Sequence, residues 1–237
     1  GLGYVIENRL AVSRAYPLSY QQMNVRRIAP FFRAFRNGLM SSAARTQPRI
    51  CLMSPGRYSP NYSEHSYLAR YLGFLLVEGD DLVVHNDFVH VKTIAGLKRA
   101  DVLWRHLAAE YLDPLELFEG SRLGVPGLMS VTRSGQAVIA NAPGAGFVES
   151  RALLGFLPAI SDALIGEQLS LPNIATWWCG EDSARTYVLD NIDNLMISSA
   201  FGRYMPGFDK AELLVPRQMQ ESERKKLIEA IKTRGVD

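Results

Sequence analysis

Cysteine is scarce in these 237 residues: there are two, Cys51 and Cys179. One pair cannot build the disulfide framework of a small secreted domain, and the usage fits a reducing, cytoplasmic setting. Long apolar runs are missing too. No stretch approaches about 18 uncharged apolar residues, so no membrane-spanning helix is expected. An excess of one charge is also lacking, the formal net charge being +2. The densest basic run, SERKKLIEAIKTR, is interleaved with acids. It reads as a solvated helix face and not as the basic stripe of a nucleic-acid binder. The opening GLGYVIENRL does not have the pattern of a signal peptide. It has no initiator Met either, so a piece of a longer protein is expected.

Several chemical signatures are absent as well. The four histidines, His65, His85, His90 and His106, never reach ligand spacing, and no metal site is expected. Glu64 and His65 are adjacent on a helix and do not face each other. No GKS or GKT follows the turn at Gly56, which excludes a P-loop. Neither Asn141–Gly146 nor Gly124–Gly127 has GxGxxG spacing. A thiol–imidazole couple of Cys179 with His106, or a pairing of Ser54 with His65, rests on residue type alone.

What is present is a core-forming chain, 47% hydrophobic and 21% charged. That suffices for one large core or two modest ones. Residues 1–10 read as a short strand or loop. Apolar residues recur with helical period at Ile28, Phe31, Phe32, Phe35, Leu39 and Met40. RICLMS is a buried strand, and NYSEHSYLARYLG a helix capped by Asn61 and Glu64 and stopped at Gly73. FLLVEG and DVLWRHL are strands, and DLVVHNDFVHVK is a hairpin about Asn86-Asp87. GVPGLMSVTRSG is a short helix and QAVIANAPG a strand. ESRALLGFLPAISDAL and SARTYVLDNIDNL are helical, LMISSAFG is a strand, and a charged helix follows 216. Strands alternating with helices predict a three-layer α/β fold: a mostly parallel sheet flanked by helices, Rossmann-like, with a small antiparallel hairpin inserted. SLPNIATWWCG interrupts the pattern and places a boundary near 172, giving units 1–172 and 173–237.

In open sheets of this kind ligands bind beyond the carboxyl ends of the strands. Polar clusters stand at four such ends: Ser54-Pro55-Gly56, Glu78-Gly79-Asp80, Arg105-His106 and Asn141–Gly144. Free backbone N–H groups at Ser54–Tyr58, with Arg57, suit an anion. The expected cleft residues are Ser54, Gly56, Tyr58, Asn61, Glu64, His65, Glu78, Arg105 and Asn141.

The blocks YVIENRLAVSRAYP, SPGRYSPNYSEHSYLARYLGFLLVEGDDL, RLGVPGLMSVTRSGQAVIANAPGAG, LPNIATWWCGE and ISSAFG run in order over roughly residues 3–204. Together they resemble the circularly permuted ATP-grasp proteins of bacteria, the glutathionylspermidine-synthase-like group. The resemblance implies the central part of an ATP-dependent carboxylate–amine ligase: a pre-ATP-grasp α/β domain over 1–172 and a partial ATP-grasp segment over 173–237. Such enzymes make an acylphosphate with ATP and Mg2+, and an amine then attacks it. The implied substrates are a small-molecule or peptide-like carboxylate and an amine, with a protein partner as a further implied class. The resemblance gives Arg105 to substrate or phosphate, and Asn8, Arg9 and Arg203 to the cofactor.

Two departures matter. Where the family has an arginine pair and an acid run before its DPL motif, this chain reads Arg105-His106-Leu107-Ala108-Ala109-Glu110. Where the family has a lysine facing ATP phosphate, this chain has Ser198. The expectation is therefore a catalytically degenerate or truncated ligase domain, with ATP and Mg2+ use retained or lost. The alternative is a non-catalytic binding or scaffolding domain.

Overall fold

A computed structural model describes residues 1–202, 204–205, 207–208 and 212–233. The chain divides into two compact units, Gly1–Gly144 and Ala145–Asp237. The expected boundary near 172 lies inside the second unit.

The first unit begins with three helices: α1 (Leu2–Ala15), α2 (Pro17–Gln22) and α3 (Ala29–Ser41). The opening segment is thus a helix and not the expected strand or loop. The helical period is hidden because α1 buries only Gly3 and Ile6 and leaves Tyr4, Val5 and Val12 exposed. Strand β1 (Ile50–Met53) is buried at every residue, as a parallel strand covered on both faces should be. Helix α4 (Tyr62–Leu72) follows and stops at Gly73, whose φ of 70° is the left-handed cap favouring glycine. The expected capping box at its start does not form. Asn61 makes no side-chain cap, and Glu64 accepts the Gly3 N–H instead, at 2.9 Å.

Then come β2 (Leu75–Val77), β3 (Leu82–His85), β4 (Phe88–Thr93), β5 (Gly96–Arg99), β6 (Val102–Arg105), α5 (Leu128–Arg133) and β7 (Val138–Ala140). The main sheet is wholly parallel, in the order β2-β1-β6-β7. A separate antiparallel sheet, β3-β4-β5, forms the insertion. Its first turn is at Asn86 and Asp87, with φ of 49° and 61°. Two consecutive left-handed residues make a turn whose twist matches the hairpin. The third strand, β5, is one more than expected.

Alternation within the strands sorts the core into two layers. Ile50, Leu52, Val102 and Trp104 pack with Ile6, Phe32, Leu39, Leu68 and Leu72 of α1, α3 and α4. Cys51, Met53, Leu103 and Ile139 pack with Val89 and Val91 of the insertion and Leu128 and Val131 of α5. The three-layer α/β expectation holds. The chain steps from β1 to β2 through α4 in the first layer, and from β6 to β7 through α5 in the second. The direction of winding therefore reverses between β1 and β6, which opens a crevice at their carboxyl ends.

Asp101 ties the opposite end of the sheet. It is buried, accepts the Arg49 N–H at 2.7 Å and pairs with Arg45 and Arg99 at 3.1 Å. The second unit contains α6 (Leu157–Ile165), α7 (Asp182–Asp190) and α8 (Glu221–Thr233), of which α7 and α8 share a core with Val188, Ile192, Leu227 and Ile231. The strand expected at LMISSAFG is reduced to an isolated bridge, Ile197 to Leu214. Among the described residues no helix is long and apolar enough to cross a membrane.

Asp113 is fully buried and accepts N–H groups of Leu115, Gly127 and Met129 at 2.9, 3.1 and 2.9 Å. It fixes the loop between β6 and α5. Asp113→Ala would orphan these donors, and we expect a loss of roughly 3 kcal/mol in urea unfolding with an unchanged m-value. A loss under about 0.5 kcal/mol, the range of ordinary surface substitutions, would show that the carboxylate does not hold the loop.

Candidate functional site

The site is built from the ends of parallel strands. Residue Ser54 follows β1, Glu78 follows β2, Arg105 ends β6 and Asn141 follows β7. The sheet order sets them in the row Glu78, Ser54, Arg105, Asn141. Of the four, Ser54 and Glu78 line the cleft described below, and Arg105 and Asn141 do not.

Behind the row lies a buried polar core. Ser54 is completely buried, and its Oγ lies 2.8 Å from His65 Nδ1. The same oxygen accepts the Gly56 N–H at 3.1 Å. His65 Nδ1 is the one acceptor in reach of the Ser54 hydroxyl proton among the described residues, so Ser54 donates and the imidazole carries its own proton on Nε2. The His65 and His106 rings stand 4.4 Å apart, and His106 also meets Trp104 at 4.7 Å. Burial depresses both histidines. It takes His106 down to about 4, with His65 adding to the effect, and lowers His65 as well. Burial alone would raise the neighbouring Glu64, but hydrogen bonds from the Gly1 amine and the Gly3 N–H hold it below its ordinary value. The result is a carboxylate beside two neutral imidazoles.

In front of the row is a cleft of about 510 Å³. Ser54, Pro55, Tyr58, Glu78, Gly79 and Asp80 form one part of its wall, and Tyr111 with Gly120–Leu123 the other. Glycines shape it. Gly56 has φ of 65°, and a side chain there would collide with the Glu78 carboxylate. A Cβ on Gly79 would overlap the carbonyls of Leu123 and Gly124, and one on Gly124 those of Tyr111 and Leu112. The loop at 123–124 is thus wedged between two other backbones. Ser121 Oγ locks it by donating to the Tyr111 carbonyl at 2.7 Å.

The expected residues fall into groups. Ser54, Tyr58 and Glu78 line the cleft, and Gly56 lies against Glu78. Glu64 and His65 lie buried on α4. Arg105 is engaged by backbone: its Nε donates to Asn141 O at 2.6 Å, and its Nη1 to Leu107 O at 2.8 Å. It thereby ties the β6 and β7 tips together. Asn61 is exposed ahead of α4, while Asn8 and Arg9 lie on α1, and none of the three lines this cleft or the second-unit cavity described below. Arg203 lies outside the described residues. Cys179 belongs to the second unit, and burial raises its thiol pKa, the wrong direction for a nucleophile. Sequence reasoning placed Asp80 in a strand-end cluster but missed Tyr111, Ser121 and Arg122 as wall residues. The available signal was that Arg122 opens one of the blocks that carry the resemblance.

A separate cavity of about 680 Å³ lies within the second unit. Its wall is largely apolar, with Leu154, Trp177, Trp178, Met196 and Leu213, and it includes Arg151 and Ser198.

The profile of the family described as circularly permuted ATP-grasp type 2 matches residues 1–237. The chain belongs to that family. An uncharacterized Synechocystis protein, sll0335, is 34% identical over 202 residues, covering 84% of this chain and 42% of its own. The Mycobacterium tuberculosis protein Rv2567 is 38% identical over 201 residues, covering 84% and 23%. Its compatriot Rv2411c is 33% identical over 204 residues, covering 85% and 37%. This ATP-grasp chain therefore spans less than half the length of these relatives.

The family implies ATP and Mg2+, and the described residues fit them only in part. The second-unit cavity offers aromatic and aliphatic walls to a flat base. Among the described residues its one basic lining residue is Arg151, whose Nη1 donates to Glu212 O at 2.9 Å. No group of three acidic, histidine or cysteine side chains able to hold a metal exists among the described residues. Among the described residues nothing further provides for a triphosphate with magnesium.

Two expectations follow from the first unit of this ATP-grasp chain. Gly124→Ala should lower stability by about 1–3 kcal/mol, because its Cβ meets immovable carbonyls. Thermal unfolding with little change would show that the loop is not wedged. The second concerns acid. His106 has a pKa of about 4 folded against an ordinary 6.5, so the unfolded chain binds more protons between those values. The stability this histidine contributes is complete above about 6.5 and is lost as pH falls toward about 4. His65 and Glu64, both lowered, add in the same direction. Denaturant unfolding across that window should be less pH-dependent in His106→Gln, and an identical slope would place His106 in water.

Proposed function

We propose that this chain is the substrate-holding portion of an ATP-grasp carboxylate–amine ligase whose own nucleotide chemistry is weakened. The observation that carries the reading is a polar cleft at the winding reversal of a parallel sheet, in a chain matched to the ATP-grasp family along its length. The likeness to glutathionylspermidine-synthase-like proteins supports amide formation as the reaction of an intact member. There ATP activates a carboxylate and an amine displaces the phosphate. In this scheme Tyr58 and Glu78 contact substrate, while the buried Ser54 holds the tip of β1 through His65. Arg105 and Asn141 keep the strand tips in place, and His65 and His106 keep the wall behind Ser54 neutral and dry. ATP would place its base in the second-unit cavity, with Ser198 where the family lysine meets phosphate.

A second reading is favoured by specific residues. Ser198 replaces the lysine, and Ala108-Ala109-Glu110 replaces the acid run. A hydrogen bond to a charged group is worth about 1.5–3 kcal/mol, so its loss weakens nucleotide binding by more than tenfold. A domain so altered serves as a binding or scaffolding module for a protein partner.

Calorimetric titration with ATP and Mg2+ separates the two. The ligase reading expects weak, millimolar binding that Ser198→Lys strengthens about tenfold or more. No heat from either form at millimolar nucleotide would leave the scaffolding reading.

A further inference from the structure

The first-unit cleft carries opposite charges that do not neutralise each other. Glu78 and Asp80 share its wall with Arg122. Among the described residues Arg122 makes no ion pair or hydrogen bond, and neither does the Asp80 carboxylate. Glu78 accepts one backbone N–H, from Asp81, which leaves lone pairs open. A folded chain usually lets nearby unlike charges meet, or turns them to water on separate faces. Here an unpaired cation and two acids look into one depression.

Charge narrows what this cleft can take. A triphosphate would meet two carboxylates on the wall. A bare polyamine would leave Arg122 unmatched and repel it. A divalent cation has no three-ligand group among the described residues and would face the same guanidinium. A ligand that is itself positive at one end and negative at the other satisfies every group at once. Arginine suits the carboxylate end through its two parallel N–H donors. Carboxylates suit an ammonium through charge-assisted hydrogen bonds. The Tyr111 ring supplies flat apolar surface to the part between, and the Tyr58 ring, with the exposed Arg57 guanidinium 5.4 Å from its centre, stands on the wall as well. A volume of about 510 Å³ accommodates a free amino acid or a dipeptide.

We propose that the cleft binds a zwitterion, a free amino acid or short peptide, with its ammonium on Glu78 and Asp80 and its carboxylate on Arg122. This deepens the ligase reading and rests on its assignment of the cleft to substrate.

The test uses the 237-residue chain without nucleotide, so that failure of ATP binding and failure of zwitterion binding are separate results. The probes are L-glutamate, L-lysine, L-alanyl-L-alanine and L-alanyl-L-glutamate, each with its N-acetylated and C-amidated form, read by saturation-transfer NMR and calorimetry. At least one free zwitterion should bind, and capping either end should weaken it about tenfold or more. Arg122→Gln should abolish the penalty of amidation, and Asp80→Asn should reduce the penalty of acetylation. Both side chains are exposed, and circular dichroism confirms that each variant folds. Absence of binding by every free probe overturns the proposal. So does equal binding of free and capped forms, or a pattern that neither substitution changes.

Discussion

The hydrogen bond between Ser54 and His65 is the contact on which the rest of the first unit depends. It joins the tip of a central strand to a helix that covers the sheet, and it does so without exposure to water. A buried hydroxyl with no acceptor costs about 1–3 kcal/mol, so His65 must stay unprotonated at Nδ1 to receive it. The neutrality of His65 then permits His106 to stack beside it, since two imidazolium ions 4.4 Å apart would repel strongly. His106 in turn follows Arg105, whose guanidinium fastens the tips of β6 and β7. A polar chain running across the sheet thus fixes the base of the cleft.

The front of the cleft depends on a different constraint, the absence of side chains. Gly79 and Gly124 allow three backbone segments to lie against one another, and Asp113 anchors the outgoing loop from beneath. The charged groups that face the cavity are carried on this rigid frame. Stability and binding are divided between residues in this arrangement. The buried histidines, Asp113 and the glycines hold shape, whereas Glu78, Asp80 and Arg122 remain available to a ligand.

Much of this was legible in the sequence where local rules apply. The run ICLM between polar flanks could hardly be anything but a covered strand. Asn86-Asp87 announced a hairpin because few other pairs tolerate positive φ. The strand-end rule points to Ser54, Glu78, Arg105 and Asn141, of which Ser54 and Glu78 line the cleft. Long-range contacts were not legible. Glu64 looks like a capping residue, yet it bonds Gly3, 61 positions away. The helix α1 is not legible from sequence, because its apolar residues do not sort onto one face. Tyr111, Ser121 and Arg122 come from an aperiodic loop, and only the close backbone approach at Gly79 and Gly124 brings them to the site. The run ISSAFG has strand-like residues but makes only one bridge, so its propensity was overridden by its surroundings.

The most direct measurement is the nitrogen-15 spectrum of the histidine rings. The account predicts that His65 carries its proton on Nε2, with Nδ1 showing the shift of a hydrogen-bonded acceptor, and that the ring takes up its second proton at lower pH than a free imidazole. A His65 ring protonated on Nδ1 in its neutral form, or one that gains its second proton as readily as a free imidazole, would contradict it. The Ser54 hydroxyl would then have no acceptor, and the base of the cleft would be built in some other way.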